Sequence, residues 1–68
     1  MTDLTFHHGS FSDGVVTIAA NTDLGREFLS EIGGCSIPVA SSSIRKSQSG
    51  RICDMAERSG LMVQHQFS

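Results

Sequence analysis

Residues 15–34 read VVTIAANTDLGREFLSEIGG and hold a strand signal followed by a helix start. Val15 to Ala20 is rich in β-branched residues and places alternate side chains on one face, which is typical of a strand. Thr22 followed by Asp23 predicts a helix N-terminus, because a Thr hydroxyl can cap free amides and the helix dipole stabilises an acid there. We therefore expect a strand that leads directly into a helix.

The helix after Thr22 has one apolar side and a clear end. Its apolar residues recur at helical spacing and form a single stripe: Leu24, Phe28, Leu29 and Ile32. Gly33-Gly34 predicts the C-terminus, since glycine accepts the left-handed conformation that often ends a helix.

The residues before this stretch predict a partner strand. Leu4 to His8 alternates apolar and polar side chains with a period of two. Ser12-Asp13-Gly14 supplies turn residues between the two strands. We expect a β-hairpin.

The chain after Gly34 is less regular. Cys35 to Val39 predicts a short extended segment, with Pro38 at a sheet edge or outside the sheet because it lacks an amide donor. Ala40 to Gln48 is rich in serine and predicts a loop, although a helix from Ser42 onward is an alternative.

A second helix and a final strand complete the pattern. We expect the helix to begin at Ser49 as N-cap and to run to Ser59, with Gly60 as the stop. Leu61 to Phe67 alternates again and predicts a strand that could pair with either strand of the hairpin.

The element order β-β-α-(β)-α-β predicts an α+β fold. We expect one compact domain over residues 1–68, a small two-layer sandwich of two helices on an antiparallel sheet of three or four strands. The other sheet face, with Thr5, His7, Val15 and Thr17, would have nothing to cover it, and an uncovered face is a natural docking surface.

Several classes of protein are disfavoured. The longest apolar run is far shorter than the ~20 residues that span a bilayer, and the N-terminus has no basic and apolar signal pattern. We therefore expect a cytoplasmic protein with no membrane contact. A disulfide between Cys35 and Cys53 is disfavoured in that compartment.

The sequence predicts no cofactor and no metal. His7 and His8 are neighbours on a strand and point to opposite faces, whereas His8 and His65 share a face and could meet beside a cysteine. The short fixed ligand spacing of a zinc finger is lacking. The Gly-x-Ser-x-Gly elbow and the P-loop are lacking too, so we expect a protein that is not an enzyme.

The candidate binding residues are charged. Residues 41–51, SSSIRKSQSGR, hold Arg45, Lys46 and Arg51 with no acid, and predict a loop that contacts phosphate or a carboxylate-rich surface. A solvated loop without a partner is the alternative. Glu27 and Glu31 on the first helix form a second candidate contact. A net charge of −2 and the lack of Tyr and Trp disfavour direct nucleic-acid binding.

In its size, its lack of a catalytic signature and its α+β plan, the chain resembles small accessory proteins of phages and other mobile elements, of which anti-CRISPR proteins are the most prominent. The resemblance implies a protein that occupies a surface of a host nucleoprotein complex in a bacterium. Our main hypothesis is a non-enzymatic inhibitor or modulator of another protein or ribonucleoprotein complex. The alternatives are a self-assembling structural protein, such as a homodimer, and a small nucleic-acid-binding regulator.

Overall fold

The computed structural model describes residues 2–9, 14–34 and 36–67. Its six elements follow the order β-β-α-β-α-β. They are β1 (Leu4–His8), β2 (Val15–Ala20), α1 (Asp23–Gly33), β3 (Ser41–Arg45), α2 (Lys46–Arg58) and β4 (Val63–Phe67). The predicted α+β class and the two helices are confirmed. Of the predicted hairpin turn, Ser12 and Asp13 lie outside the described residues.

The four strands form one mixed sheet in the order β3-β2-β1-β4. β1 pairs antiparallel with β2, and β2 pairs antiparallel with β3. The last strand, whose neighbour the sequence left open, pairs with β1 and runs parallel to it, with Leu4 opposite Val63. The sheet is therefore mixed where a purely antiparallel one was expected.

Both helices pack on one face of the sheet. The core combines alternate residues of β1 and β2 with the apolar sides of the helices, and its buried members are Leu4, Phe6, Val16, Ile18, Phe28, Leu29, Cys53, Ala56 and Leu61. Burying each of the Val, Leu, Ile and Phe side chains among them contributes roughly 1.5–3 kcal/mol before the entropy of ordering is subtracted. The arrangement is the two-layer sandwich that the pattern predicted. In the described part of the chain, no helix combines the length and the apolar character needed to cross a bilayer.

The prediction was wrong between Val39 and Ser49. The third strand lies at Ser41–Arg45, whereas residues 36–39 of the predicted extended segment form no strand and Cys35 lies outside the described residues. Helix α2 begins at Lys46 with no loop before it. Strand β3 forms because β2 offers it a partner, with Ile44 opposite Val16. Ser49 is not the N-cap; its hydroxyl donates to the carbonyl of Lys46 inside the first helical turn.

Asp3 joins three elements at one end of the sheet. Its carboxylate accepts a hydrogen bond from the Thr22 hydroxyl at 2.6 Å and another from the Met62 amide at 2.9 Å. The same Thr22 hydroxyl accepts from the Gly25 amide, so the predicted N-cap of α1 is confirmed. The carbonyl of Asp3 also accepts from the amide of Asn21. The starts of β1, α1 and β4 are thus held together.

Gly25 allows α1 to approach β1 closely. A Cβ atom added at this position would overlap the carbonyl oxygen of Asp3 and would lie 3.2 Å from a methyl carbon of Leu4. Backbone atoms cannot move aside as a flexible side chain could, so any larger residue would push the helix off the sheet.

We predict that Gly25→Ala lowers the free energy of unfolding by about 1–3 kcal/mol, the usual range for overpacking, despite the higher helix propensity of alanine. Urea denaturation measures the change. The matched control is Gly50→Ala in α2, where an added Cβ meets nothing within 4 Å. This variant should gain stability by up to about 1 kcal/mol. Equal effects at both glycines would contradict the proposed close approach.

We predict that Asp3→Asn removes part of the acid sensitivity of the fold. The backbone hydrogen bond from Met62 and the side-chain hydrogen bond from Thr22 hold the pKa of the Asp3 carboxyl below its ordinary value. Its contribution to stability is therefore present above the unfolded pKa and is lost as the pH falls below about 4. Unfolding followed by circular dichroism between neutral and acid pH tests this. Asp54→Asn, at an exposed ion pair with Arg58, is the control.

Candidate functional site

The sequence-predicted cations lie around the junction of β3 and α2, and we call Arg45, Lys46 and Arg51 the cationic corner. Arg45 ends β3, and Lys46 opens α2 with its amide donating to the Gly14 carbonyl at 2.6 Å. All three side chains are exposed. These residues were predicted to lie in a loop, but they lie at the end of a strand and in the first turns of a helix.

The junction brings Arg45 and Lys46 together but separates Arg51 from them. Arg51 follows Lys46 by five residues, which is about 7.5 Å along the axis and about 140° around it. Within the described ranges, Arg45, Lys46 and Arg51 form no salt bridge. Arg26 and Arg58, in contrast, each pair with an acid on their own helix. The corner thus presents cationic groups that no described acid neutralises.

The predicted acids lie elsewhere. Glu27 and Glu31 are exposed on α1 and line a shallow groove of about 160 Å³ between α1 and the turn after α2, together with Leu24, Phe28, Ser59 and Leu61. The groove lies by the C-terminal end of α2, whereas Arg45 and Lys46 lie at its N-terminal end, about 18 Å away along a 13-residue helix. The five predicted residues therefore do not form one site.

The sheet face opposite the helices is largely uncovered by described residues, and we call it the open sheet face. The strand registers place ten residues on it: Thr5, His7, Val15, Thr17, Ala19, Ser41, Ser43, Arg45, Gln64 and Gln66. Most are exposed, as predicted for His7, Val15 and Thr17. Ala19 is half-buried, and Thr5 is only 7% exposed, with its hydroxyl accepting from the Asn21 carboxamide. Arg45 carries the one full charge among these ten side chains.

His8 and His65 meet on the helix side of the sheet, as their shared face predicted. Their ring nitrogens Nε2 and Nδ1 are 2.9 Å apart, a hydrogen-bond distance. The second ring nitrogen of His65, Nε2, lies 3.4 Å from the Sγ atom of Cys53 on α2. Phe67 extends the row, because its ring stacks on His8 with centroids 4.5 Å apart. Sequence reasoning did not single out Phe67, although its place in the alternation of β4 put it on this face.

This row does not form a metal cage. His65 lies between its two neighbours and meets His8 through one ring nitrogen and Cys53 through the other, so the three groups do not converge on one point. Within the described ranges, no three His, Cys, Asp or Glu side chains are arranged to hold a metal ion.

The Cys53 thiol is buried and free, and its surroundings oppose nucleophilic chemistry. Loss of solvent raises the pKa of Cys53, and its hydrogen bond to the Glu57 carboxylate raises it further. Reactive cysteines need the opposite, a lowered pKa that yields the thiolate. The Cys53–His65 contact therefore stabilises the packing of α2 on β4 and lacks the electrostatics of a Cys–His catalytic pair.

Comparison of the chain with family models, with curated proteins and with solved structures finds no match.

His8, His65 and Phe67 form what we call the histidine row, and we predict that it makes the fold sensitive to mild acid. Loss of solvent lowers the pKa of His8, and the nearby charges of His65 and Lys46 lower it further. A histidine whose folded pKa is lowered favours the fold when neutral, so stability is lost as the pH falls below about 6.5. His8→Gln should flatten the dependence of the unfolding free energy on pH between 7 and about 5.

The matched control is His7→Gln, on the same strand but on the opposite face. Because its side chain does not contact His65, this variant should keep the acid sensitivity of the parent protein. If His7→Gln flattened the pH profile as much as His8→Gln, the histidine row would not be its source.

Proposed function

We propose that the protein is a non-enzymatic binding protein that occupies a surface of a macromolecular partner and thereby inhibits or modulates it. The observation that supports this most directly is the cationic corner beside the open sheet face. Arg45 belongs to both surfaces, so a partner on the sheet face would meet the corner as well. Such a surface suits broad contact with another macromolecule better than enclosure of a small substrate.

The charges of this surface favour an acidic partner. The open sheet face holds hydroxyl and carboxamide side chains, one arginine and no carboxylate. Arginine binds carboxylates through two parallel hydrogen bonds, and hydroxyl and amide groups can satisfy the remaining acceptors. We therefore propose a carboxylate-rich protein surface as the partner. Charges at such an interface chiefly raise the association rate and select the partner.

The partner class follows from the resemblance to phage accessory proteins. A host-defence nucleoprotein complex of a bacterium is the first partner that we propose to test, and inhibition by occupation of its surface is the proposed mode of action. The buried, electrostatically unfavourable thiol of Cys53 supports a mechanism without catalysis.

Direct nucleic-acid binding is less well supported. Proteins that bind single strands stack bases on aromatic side chains. The ten residues of the open sheet face include no Phe, and the phenylalanines of the described ranges lie on the helix side of the sheet or on α1. The cationic corner could meet phosphates, but it offers only three cations.

We predict that Arg45→Glu with Lys46→Glu weakens partner binding by about tenfold or more, because two attractive contacts become repulsive. The tagged protein and its variant are incubated with a bacterial lysate, and retained proteins are quantified by mass spectrometry. The partner is then purified for titration. Arg51→Glu alone should have a smaller effect, since Arg51 lies on another side of α2.

The control is Arg26→Glu with Arg58→Glu, which changes the net charge by the same amount, from −2 to −6, since each replacement subtracts two charges. These arginines form exposed helical ion pairs, whose loss costs little stability. Equal loss of binding in both double variants would show a non-specific charge effect and overturn the proposed surface. Retention of nucleic acid in place of a protein would favour the regulator alternative.

A further inference from the structure

Among the described strands, β4 has a neighbour on one side only, so one row of its backbone groups faces no strand. β4 is at the edge of the sheet, and the amide of Leu4 donates to the carbonyl of Met62 at 3.1 Å. Successive residues of a strand direct their backbone N–H and C=O groups to opposite sides. Because Met62 bonds to β1 and Leu4 lies opposite Val63, the backbone groups of Gln64 and Gln66 also point towards β1. Those of Val63, His65 and Phe67 therefore point outward from the sheet.

This edge lacks the usual protection against strand pairing. Natural edge strands are blunted by charged side chains, by proline or by a bulge. β4 reads VQHQF and carries none of the acidic or basic residues Asp, Glu, Lys and Arg, and no proline. Its last residue, Phe67, is 77% exposed, and Met62 just before the strand is 58% exposed. An open edge with exposed apolar side chains at both ends is suited to a further strand.

The sequence of β4 reads similarly in both directions. Its ends are apolar, its second and fourth residues are Gln, and its centre is His65. A two-fold axis through His65 would therefore place like groups opposite each other. We propose that a second copy of this chain pairs with β4, antiparallel and edge to edge, so that the two sheets form one continuous sheet of eight strands.

The outward backbone groups fit this register. Val63 lies opposite Phe67 of the second copy, His65 lies opposite its counterpart, and Phe67 lies opposite Val63 of the second copy. These three are hydrogen-bonded pairs, and each exchanges two bonds, so the pairing forms six backbone hydrogen bonds. A register shifted by two residues would form fewer bonds, because the strand is only five residues long.

The side chains of the same register are complementary. Gln64 lies opposite Gln66 of the second copy in a non-hydrogen-bonded pair, where the Cα atoms are about 4.5 Å apart and carboxamides can bond to each other. On the other face, Val63 covers the exposed ring of Phe67 of the second copy. The other edge fits less well, because reversing the β3 sequence SSSIR places serines opposite Arg45 and Ile44.

The fraction of the protein that is dimeric should depend on its concentration. Two five-residue strands bury less surface than the ~1,200 Å² at the lower end of standard interfaces. We therefore expect monomer and dimer in exchange. The interface lies at the edge opposite β3 and does not include the cationic corner. Gln64 and Gln66 also belong to the open sheet face, so the dimer and the proposed partner share these two side chains.

The test is sedimentation equilibrium of the purified protein over a concentration series. Variants at Gln64 and Gln66 test whether these residues lie opposite each other, as the proposed register requires. Gln64→Lys with Gln66→Lys places lysines opposite lysines twice and should weaken the dimer by about tenfold or more. Gln64→Lys with Gln66→Glu places opposite charges in the same positions and should preserve or strengthen it. Gln64 and Gln66 are both exposed, and circular dichroism checks that each variant retains the fold.

Ser41→Lys with Ser43→Lys is the matched control, with the same added charge on the same sheet face but on the opposite edge strand. It should leave the dimer constant unchanged. A protein that stays monomeric at every concentration overturns the proposal. A dimer that the control weakens as much as the β4 lysine pair also overturns it. If the Lys–Glu variant is weakened as much as the Lys–Lys variant, the two-fold register through His65 is wrong.

Discussion

The carboxylate of Asp3 is the point on which the arrangement of the layers depends. It binds the capping hydroxyl of Thr22 with one oxygen and the amide of Met62 with the other, although Met62 is 59 residues away in the chain. The first bond fixes the start of α1 over the sheet, and the second fixes the entry of β4 beside β1. Gly25 completes the constraint, because only a residue without a side chain lets α1 come so near the carbonyl of Asp3.

The two regions that could act on other molecules lie at opposite edges of the sheet defined in this way. The β3 edge leads into the cationic corner and shares Arg45 with the open sheet face. The β4 edge is uncharged, apolar at its ends and backed by the histidine row. The proposed polar recognition and the proposed strand pairing therefore centre on different edges of one sheet, and neither involves the groove lined by Glu27 and Glu31. A dimer through β4, as proposed, would present two cationic corners at once.

Sequence reasoning succeeded where the signals were local. The hairpin, the Thr22 cap and the Gly34 end of α1 follow from residues within a few positions of each other, and each is present in the structure. The elements that it missed depend on contacts between residues far apart in the chain. Pairing with β2 makes a strand of the serine-rich residues 41–45, and the bond from Lys46 to Gly14 sets the start of α2. The site residues were affected in the same way, since the order of residues could not show that Glu27 and Arg45 belong to different surfaces.

The parallel pairing of β1 with β4 has a consequence for how the molecule folds. β1 is a central strand, but one of its two neighbours lies almost a whole chain length away, and closing so long a loop carries a large entropic cost before the contact is made. The hairpin and α1 can assemble early from nearby residues, while β1 still has one unpaired side. Until β4 pairs with it, this side of β1 would be open to a strand of another chain, which could form the same hydrogen bonds. The last strand therefore serves the protein twice: it completes the sheet, and it shields its centre from misassembly.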